Sequence, residues 1–353
     1  MIPSMFKSVR YWIVLLLSLS FVSFIGNLRE WWYLRKPFPS KIEHTKARFQ
    51  NGIVLPLFAL EYNYPYRIAI DEIADLGAHS VSLFVTNYQE DIRTNTIYLN
   101  QRAVEVNQLF DIIDYAHSRG LSVFLFPTLH IQHLGYKEWR GVLSPANPDQ
   151  WWANYFKMIR FYVHIARQKN VELFSVGSEL CAQESDYAHW SEIIRYCRKN
   201  YSGILTYSAN WDHYHNIAFM KDLDFLGMNA YFGLTRKTDP TLDELVKAWD
   251  PAKKRIEEAY KEYNKPVIFT EIGYPSVDGA NKDPWNYFST TKLDLGEQEL
   301  CYQAFVKTWD PPPRYLHGVY FYNWWGVGGL NDRDYTPRGK PAERVLRKWY
   351  GSF

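Results

Sequence analysis

Eight short, apolar, β-rich runs recur between residues 53 and 324, and their count and spacing constrain the fold more than any other property of the chain. They occupy residues 53–60, 80–86, 122–129, 171–177, 204–208, 225–232, 266–272 and 316–324. Helix-compatible segments alternate with them at 68–76, 100–119, 148–168, 185–200, 241–263, 296–309 and 337–350. The link between the fifth and sixth runs, around Ile217 to Leu223, has room only for a brief helix. Near-continuous apolar strands such as Ser122-Val-Phe-Leu-Phe126 suit a sheet buried on both faces. Alternation carried to a count of eight predicts an α/β fold, a single (β/α)8 TIM barrel, rather than a sandwich. The structural competitor is a doubly wound sheet, which would carry a glycine-rich nucleotide loop after its first strand. Neither GxGxxG nor GxxxxGK[ST] follows Gly52-Ile-Val-Leu-Pro-Leu-Phe-Ala59.

The N-terminus is of a different character. Lys7 and Arg10 precede Tyr11 to Leu28, a stretch of 18 residues without a charged side chain. A hydrophobic helix of that length just spans a bilayer and exceeds the core of about 7 to 15 residues usual in a signal peptide. Positive charge ahead of it favours a cytoplasmic N-terminus with the remainder exported, although Arg29, Arg35 and Lys36 reduce the asymmetry. Residues 1–28 are therefore expected to be a cytoplasmic tip with a membrane anchor or signal segment, 29–50 a tether, and 51–353 the barrel domain. The protein would be membrane-anchored with its barrel exported, or secreted if the segment is cleaved. Forty Lys and Arg against 38 Asp and Glu leave a formal charge of +2 with no basic cluster, so no nucleic-acid partner is expected. Cys181, Cys197 and Cys301 are too few and too dispersed for a disulfide framework, though one pair could bridge in an exported domain.

In such a barrel the reactive groups sit at the C-terminal ends of the strands. Two runs end in glutamate there, Val171-Glu-Leu-Phe-Ser-Val-Gly-Ser-Glu179 and Pro266-Val-Ile-Phe-Thr-Glu271. Carboxylates emerging at one rim suit acid-assisted cleavage of an acetal, one protonating the leaving oxygen while the other attacks or stabilises the sugar carbon. Aromatic residues reach 18%, enough both to fill a large barrel and to stack on sugar faces near the glutamates. Tyr231 follows the sixth run and could donate to Glu271, holding it ionised; otherwise it plugs the core. Asn229 lies two residues earlier and could face the same side. Asn210 and Trp211 end the fifth run, where an amide and an indole could address hydroxyls and a sugar face. His130 after the third run is a further polar contact. Trp324 is expected to form the floor of the sugar site while Trp325 packs outward, an order that a bulge could exchange.

His130 and His133, with Asp212-His213-Tyr-His215, carry zinc-ligand chemistry but not the helical His-Glu-x-x-His spacing, so no metal is expected. No cofactor motif is visible and none is expected. Val176-Gly-Ser-Glu-Leu180 lacks the second glycine of a serine-hydrolase elbow.

Phe174-Ser-Val-Gly-Ser-Glu-Leu180, Met228-Asn-Ala-Tyr231 and Phe269-Thr-Glu-Ile-Gly-Tyr-Pro275, supported by Tyr322-Asn-Trp-Trp325, resemble glycoside hydrolase family 113, β-mannanase-like, within clan A of the retaining (β/α)8-barrel glycosidases. The resemblance covers about residues 51 to 350. It implies that Glu179 is the acid/base and Glu271 the nucleophile, which Tyr231 by its position after the sixth run would orient, with net retention through a covalent glycosyl-enzyme. It also implies β-1,4-mannan or manno-oligosaccharides as substrate. Ser178 departs from the pattern, standing where much of the clan has Asn. Two alternatives stay open: a hydrolase of another β-glycan (glucan, galactan or envelope glycan), and a non-catalytic polysaccharide-binding barrel.

Overall fold

The computed structural model describes residues 49–58, 64–100, 102–215, 217–287 and 289–353. The apolar stretch from Tyr11 to Leu28 and nearly all of the expected tether lie outside the described residues. Among the described residues, no helix is long and apolar enough to cross a membrane.

Eight parallel strands close into a barrel in sequence order: β1 (Gln50–Pro56), β2 (Ser80–Gln89), β3 (Ser122–Ile131), β4 (Leu173–Ser178), β5 (Ile204–Asn210), β6 (Leu226–Asn229), β7 (Val267–Ile272) and β8 (Leu316–Tyr322). The ring is sealed where β1 meets β8, with Gly52 opposite Tyr320. The tyrosine ring lies so close to Gly52 that a Cβ there would come within 2.4 Å of it, so the seam requires glycine. Around the barrel run α1 (Tyr66–Asp75), α2 (Val106–Ser118), α3 (Pro148–Gln168), α4 (Tyr187–Asn200), α5 (Leu242–Ala248), α6 (Asp250–Tyr263), α7 (Leu295–Trp309) and α8 (Pro341–Tyr350). The expected (β/α)8 architecture is the observed one.

Differences at the element ends have local causes. The single helix expected over 241–263 is two, because Pro251 lacks the N–H that a continuous helix would need and is accommodated in the first turn of α6. Thr241 starts α5 with a reciprocal capping box, its hydroxyl accepting from the Glu244 N–H while Glu244 accepts from the Thr241 N–H. β6 is only four residues long, and the link leading to it holds a single 3-10 turn, Met220–Asp222.

Two apolar layers hold the barrel. Ile53, Leu55, Val81 and Leu83 point outward into the layer shared with the helices. Val54, Phe84, Phe124, Phe126, Leu173, Ile268 and Tyr320 point inward and fill the lumen. Phe126 packs against Phe84 and Phe124 with ring centroids 5.2 Å and 5.1 Å apart, and Tyr320 lies 5.3 Å from Phe124. Much of the aromatic excess is therefore barrel filling, a plug beneath the rim on which the polar groups stand.

Candidate active site

β4 ends at Ser178, and Glu179 follows in the left-handed region with φ 54°. That conformation is strained for a residue with a Cβ, and the Glu179 N–H compensates in part by donating to the Ser208 carbonyl at 2.9 Å. The turn directs the side chain over the barrel mouth. There Glu179 Oε1 accepts from Asn229 Nδ2 at 2.8 Å, and Oε2 faces Arg140 Nε at 3.3 Å.

Glu271 reaches the same place from β7. Thr270 and Glu271 both serve the rim, which strict alternation would forbid, because the β7–β8 register shifts between Phe269 and Ile272. The Tyr231 hydroxyl donates to Glu271 Oε2 at 3.0 Å. A second shift, between Met228 and Asn229, sets Asn229 opposite Glu271. Asn229 Oδ1 faces the hydroxyls of Ser208, at 2.7 Å, and Thr270, at 3.0 Å, which also touch each other. With its carbonyl held there, the amide must turn its N–H groups toward the carboxylates: it donates to Glu179 and also hydrogen-bonds Glu271.

Burial, then the neighbouring Glu179 charge, push the Glu271 carboxyl up to about 8, against the opposing pull of Arg140, Tyr231 and Asn229. The site therefore holds the Glu271 proton into mildly alkaline solution. Burial, then the Glu271 charge, hold the Tyr231 phenol far above its usual range, and it remains a donor throughout.

A cavity of about 490 Å³ opens above the carboxylates. Glu179, Glu271, Tyr231, Asn210 and Trp211 all line it, and Asn229, 1% exposed, lies beneath as the common anchor of the two carboxylates. Trp211 stacks on Trp285 with centroids 5.2 Å apart and an interplanar angle of 16°. Trp139, Arg140, Trp285 and Tyr287 also line the wall; sequence reasoning did not single them out. They lie in the connections after β3 and β7, Arg140 opening the short 3-10 turn Arg140–Val142, where no periodicity marks a residue as facing the mouth. The one usable signal was position, since loops after strands form the pocket in this fold.

Two expected contacts are placed elsewhere. His130 sits at the end of β3, exposed and edge-on to Tyr88 at 5.6 Å, and is not among the residues lining the cavity. Trp324 is a correction: its indole is 2% exposed and its N–H donates to Glu72 on α1 at 2.8 Å, away from the cavity. β8 ends at Tyr322, which does line the cavity, so the alternation that favoured Trp324 stops two residues before it. Trp325 is half-buried and stacks on Tyr64 at 4.2 Å.

The histidine loops do not assemble as one ligand set: His133 pairs with Glu90 at 3.0 Å. Among the described residues, the donors that converge are Cys181, Glu184 and His213. Cys181, Cys197 and Cys301 are all free thiols.

No curated protein sequence matches the chain. Among solved structures, it is similar to a β-mannanase from Alicyclobacillus acidocaldarius, 24% identical over 87% of this chain and 98% of that one, with a TM-score of 0.77. A β-1,4-mannanase is also 24% identical, over 87% of this chain and all of that one, with a TM-score of 0.78. A β-glucuronidase from Dictyoglomus thermophilum matches more distantly, 15% identical over 90% of this chain and 51% of that one, with a TM-score of 0.60. Likeness at such identities is likeness of fold. The sequence model of Glycoside Hydrolase Family 113 matches residues 64–337, a span that takes in β2 through β8 and both glutamates. By that match the chain belongs to Glycoside Hydrolase Family 113 and is an O-glycoside hydrolase.

Proposed function

We propose that the protein is a retaining β-mannanase acting on β-1,4-linked mannan or its oligosaccharides. The observation that carries the mechanism is that Glu179 and Glu271, from β4 and β7, are tied to the same Asn229 amide above the aromatic plug. Glu179, protonated, gives its proton to the glycosidic oxygen as that C–O bond breaks. Glu271 attacks the anomeric carbon and forms a glycosyl-enzyme. Glu179 then takes a proton from water, which releases the sugar with its original configuration. The Tyr231 hydroxyl favours charge on Glu271, the form that attacks. The Arg140 guanidinium faces Glu179 Oε2 at 3.3 Å, so in this mechanism the arriving sugar loosens that ion pair before proton transfer. Trp211 and Trp285 present indole faces to the sugar.

The choice of mannan is supported by the likeness to two β-mannanases. For location, Lys7 and Arg10 ahead of 18 uncharged residues support a membrane-anchored protein with an exported barrel, or a secreted one if the segment is cleaved.

The test is hydrolysis of matched β-manno-, β-gluco- and β-galacto-oligosaccharides with the product anomer followed by NMR. Selective release of the β-anomer from manno-oligosaccharides is expected. First appearance of the α-anomer would overturn retention, and cleavage confined to the gluco or galacto series would move the substrate to another β-glycan.

A further inference from the structure

Cys181, Glu184 and His213 stand beside the catalytic pair and take no part in the hydrolysis outlined above. Cys181 opens the 3-10 turn Cys181–Gln183 two residues after Glu179, and Glu184 follows that turn. His213 comes from the loop after β5, next to Asp212 on the cavity wall. One donor atom from each of the three lies within 4.8 Å of the others. Glu184 is 3% exposed, an uncommon place for a carboxylate. One of its oxygens accepts from the Tyr207 hydroxyl at 2.8 Å, and the other faces His213 Nδ1 at 3.5 Å. The carboxylates of Glu184, Glu179 and Asp212 all bear on the Cys181 thiol, so its surroundings are rich in negative charge.

We propose that these three side chains form a binding site for a thiophilic divalent cation of the zinc class, and that filling it slows hydrolysis. Thiolate, imidazole and carboxylate are the mixed donor set that zinc accepts, at about 2.3 Å to sulfur and roughly 2.0–2.2 Å to nitrogen and oxygen. Tetrahedral ligands at those lengths stand about 3.3–3.7 Å apart, so donors that lie within 4.8 Å of one another close by about 1.5 Å at most. The half-exposed His213 and the partly exposed Cys181 have the rotamer freedom to do so. On binding, the Cys181 S–H bond breaks, its proton leaves to solvent and an S–Zn bond forms, with no change of oxidation state. Water takes the fourth position.

Tyr207 supports the site from behind. Its hydroxyl donates to Glu184 and accepts the Leu180 N–H at 2.7 Å, and Leu180 is the residue directly after Glu179. A cation that repositions Glu184 and Cys181 therefore acts on the backbone that holds the acid in its left-handed turn.

The experiment uses the full chain, stripped with EDTA and titrated with Co²⁺ and then Zn²⁺. One cobalt per chain is expected, with a sulfur-to-cobalt charge-transfer band that one equivalent of Zn²⁺ removes. The band should vanish in Cys181→Ser, and affinity should fall about tenfold or more in His213→Gln. Absence of the band from the unmodified protein, or its survival in Cys181→Ser, would overturn the site. This spectrum needs no substrate, so its failure is separate from any failure of the mannanase reading. In a second arm, Zn²⁺ should slow the unmodified enzyme about fivefold or more while leaving Cys181→Ser unaffected; equal inhibition of both would overturn the link to Glu179.

Discussion

The lumen of the barrel and its rim are built from the same strands, yet burial has opposite consequences in the two. In the lumen, Phe84, Phe124, Phe126 and Tyr320 exclude water and one another's contacts make the ring closure favourable. A few residues further along, Glu271 is 6% exposed, and the same exclusion of water raises its proton affinity. The lumen therefore supplies stability, whereas the rim draws on it to hold reactive groups in an environment they would not choose. Variants that separate stability from rate test this division.

The largest effect is expected from Glu271→Ala, which should lower kcat by roughly 10⁴-fold or more. Azide should restore turnover as the glycosyl azide of opposite anomeric configuration, and the melting temperature should not fall. Unchanged hydrolysis would remove Glu271 from the chemistry. Glu179→Ala should cost about 10²- to 10⁴-fold on substrates with poor leaving groups and much less on activated aryl glycosides. Equal losses on both would contradict an acid role.

Phe126→Ala probes the other region. It should destabilise the fold by about 3–5 kcal/mol in denaturant titrations while leaving the rate per folded molecule within a few-fold. A comparable loss of rate would mean that the plug and the rim are not separable.

Smaller effects appear as shifts with pH. The proton that the site holds at Glu271 up to about 8 is the one the leaving group must receive, which predicts that kcat/KM declines as pH rises through about 8. Arg140 and Tyr231 both lower that value, so Arg140→Gln and Tyr231→Phe should each move the alkaline limb upward. A downward move would refute the electrostatic assignment. Stability gives the least, and its sign follows from linkage. Glu271 binds its proton more tightly folded than unfolded, where a glutamate titrates near 4.3. The folded state thus holds the extra proton from there to about 8, and stability falls as pH rises across that window. Glu271→Gln removes the slope, so its melting advantage over the unmodified protein should grow between about pH 5 and pH 8.

The barrel was legible because eight apolar runs alternating with helical segments admit few architectures, and strand ends then pointed to Glu179 and Glu271. Asn229 and Tyr231 were legible for the same reason, as residues at or just beyond the end of β6. Legibility failed where the regular period stopped. Trp324 lies past the end of β8, and Arg140, Trp285 and Tyr287 sit on loops whose direction is set by tertiary contacts. The Ser208, Thr270 and Asn229 cluster joins three strands that are distant in sequence, and β-bulges set its register, so no local pattern encodes it.

The left-handed backbone at Glu179 bears on how this enzyme would respond to selection. Glycine or asparagine adopts φ near 54° at lower cost, relieving strain on the order of 1 kcal/mol. A library of variants screened for heat resistance alone would therefore be drawn toward replacing the very residue proposed as the acid, yielding sturdier barrels that cut glycans with poor leaving groups far more slowly.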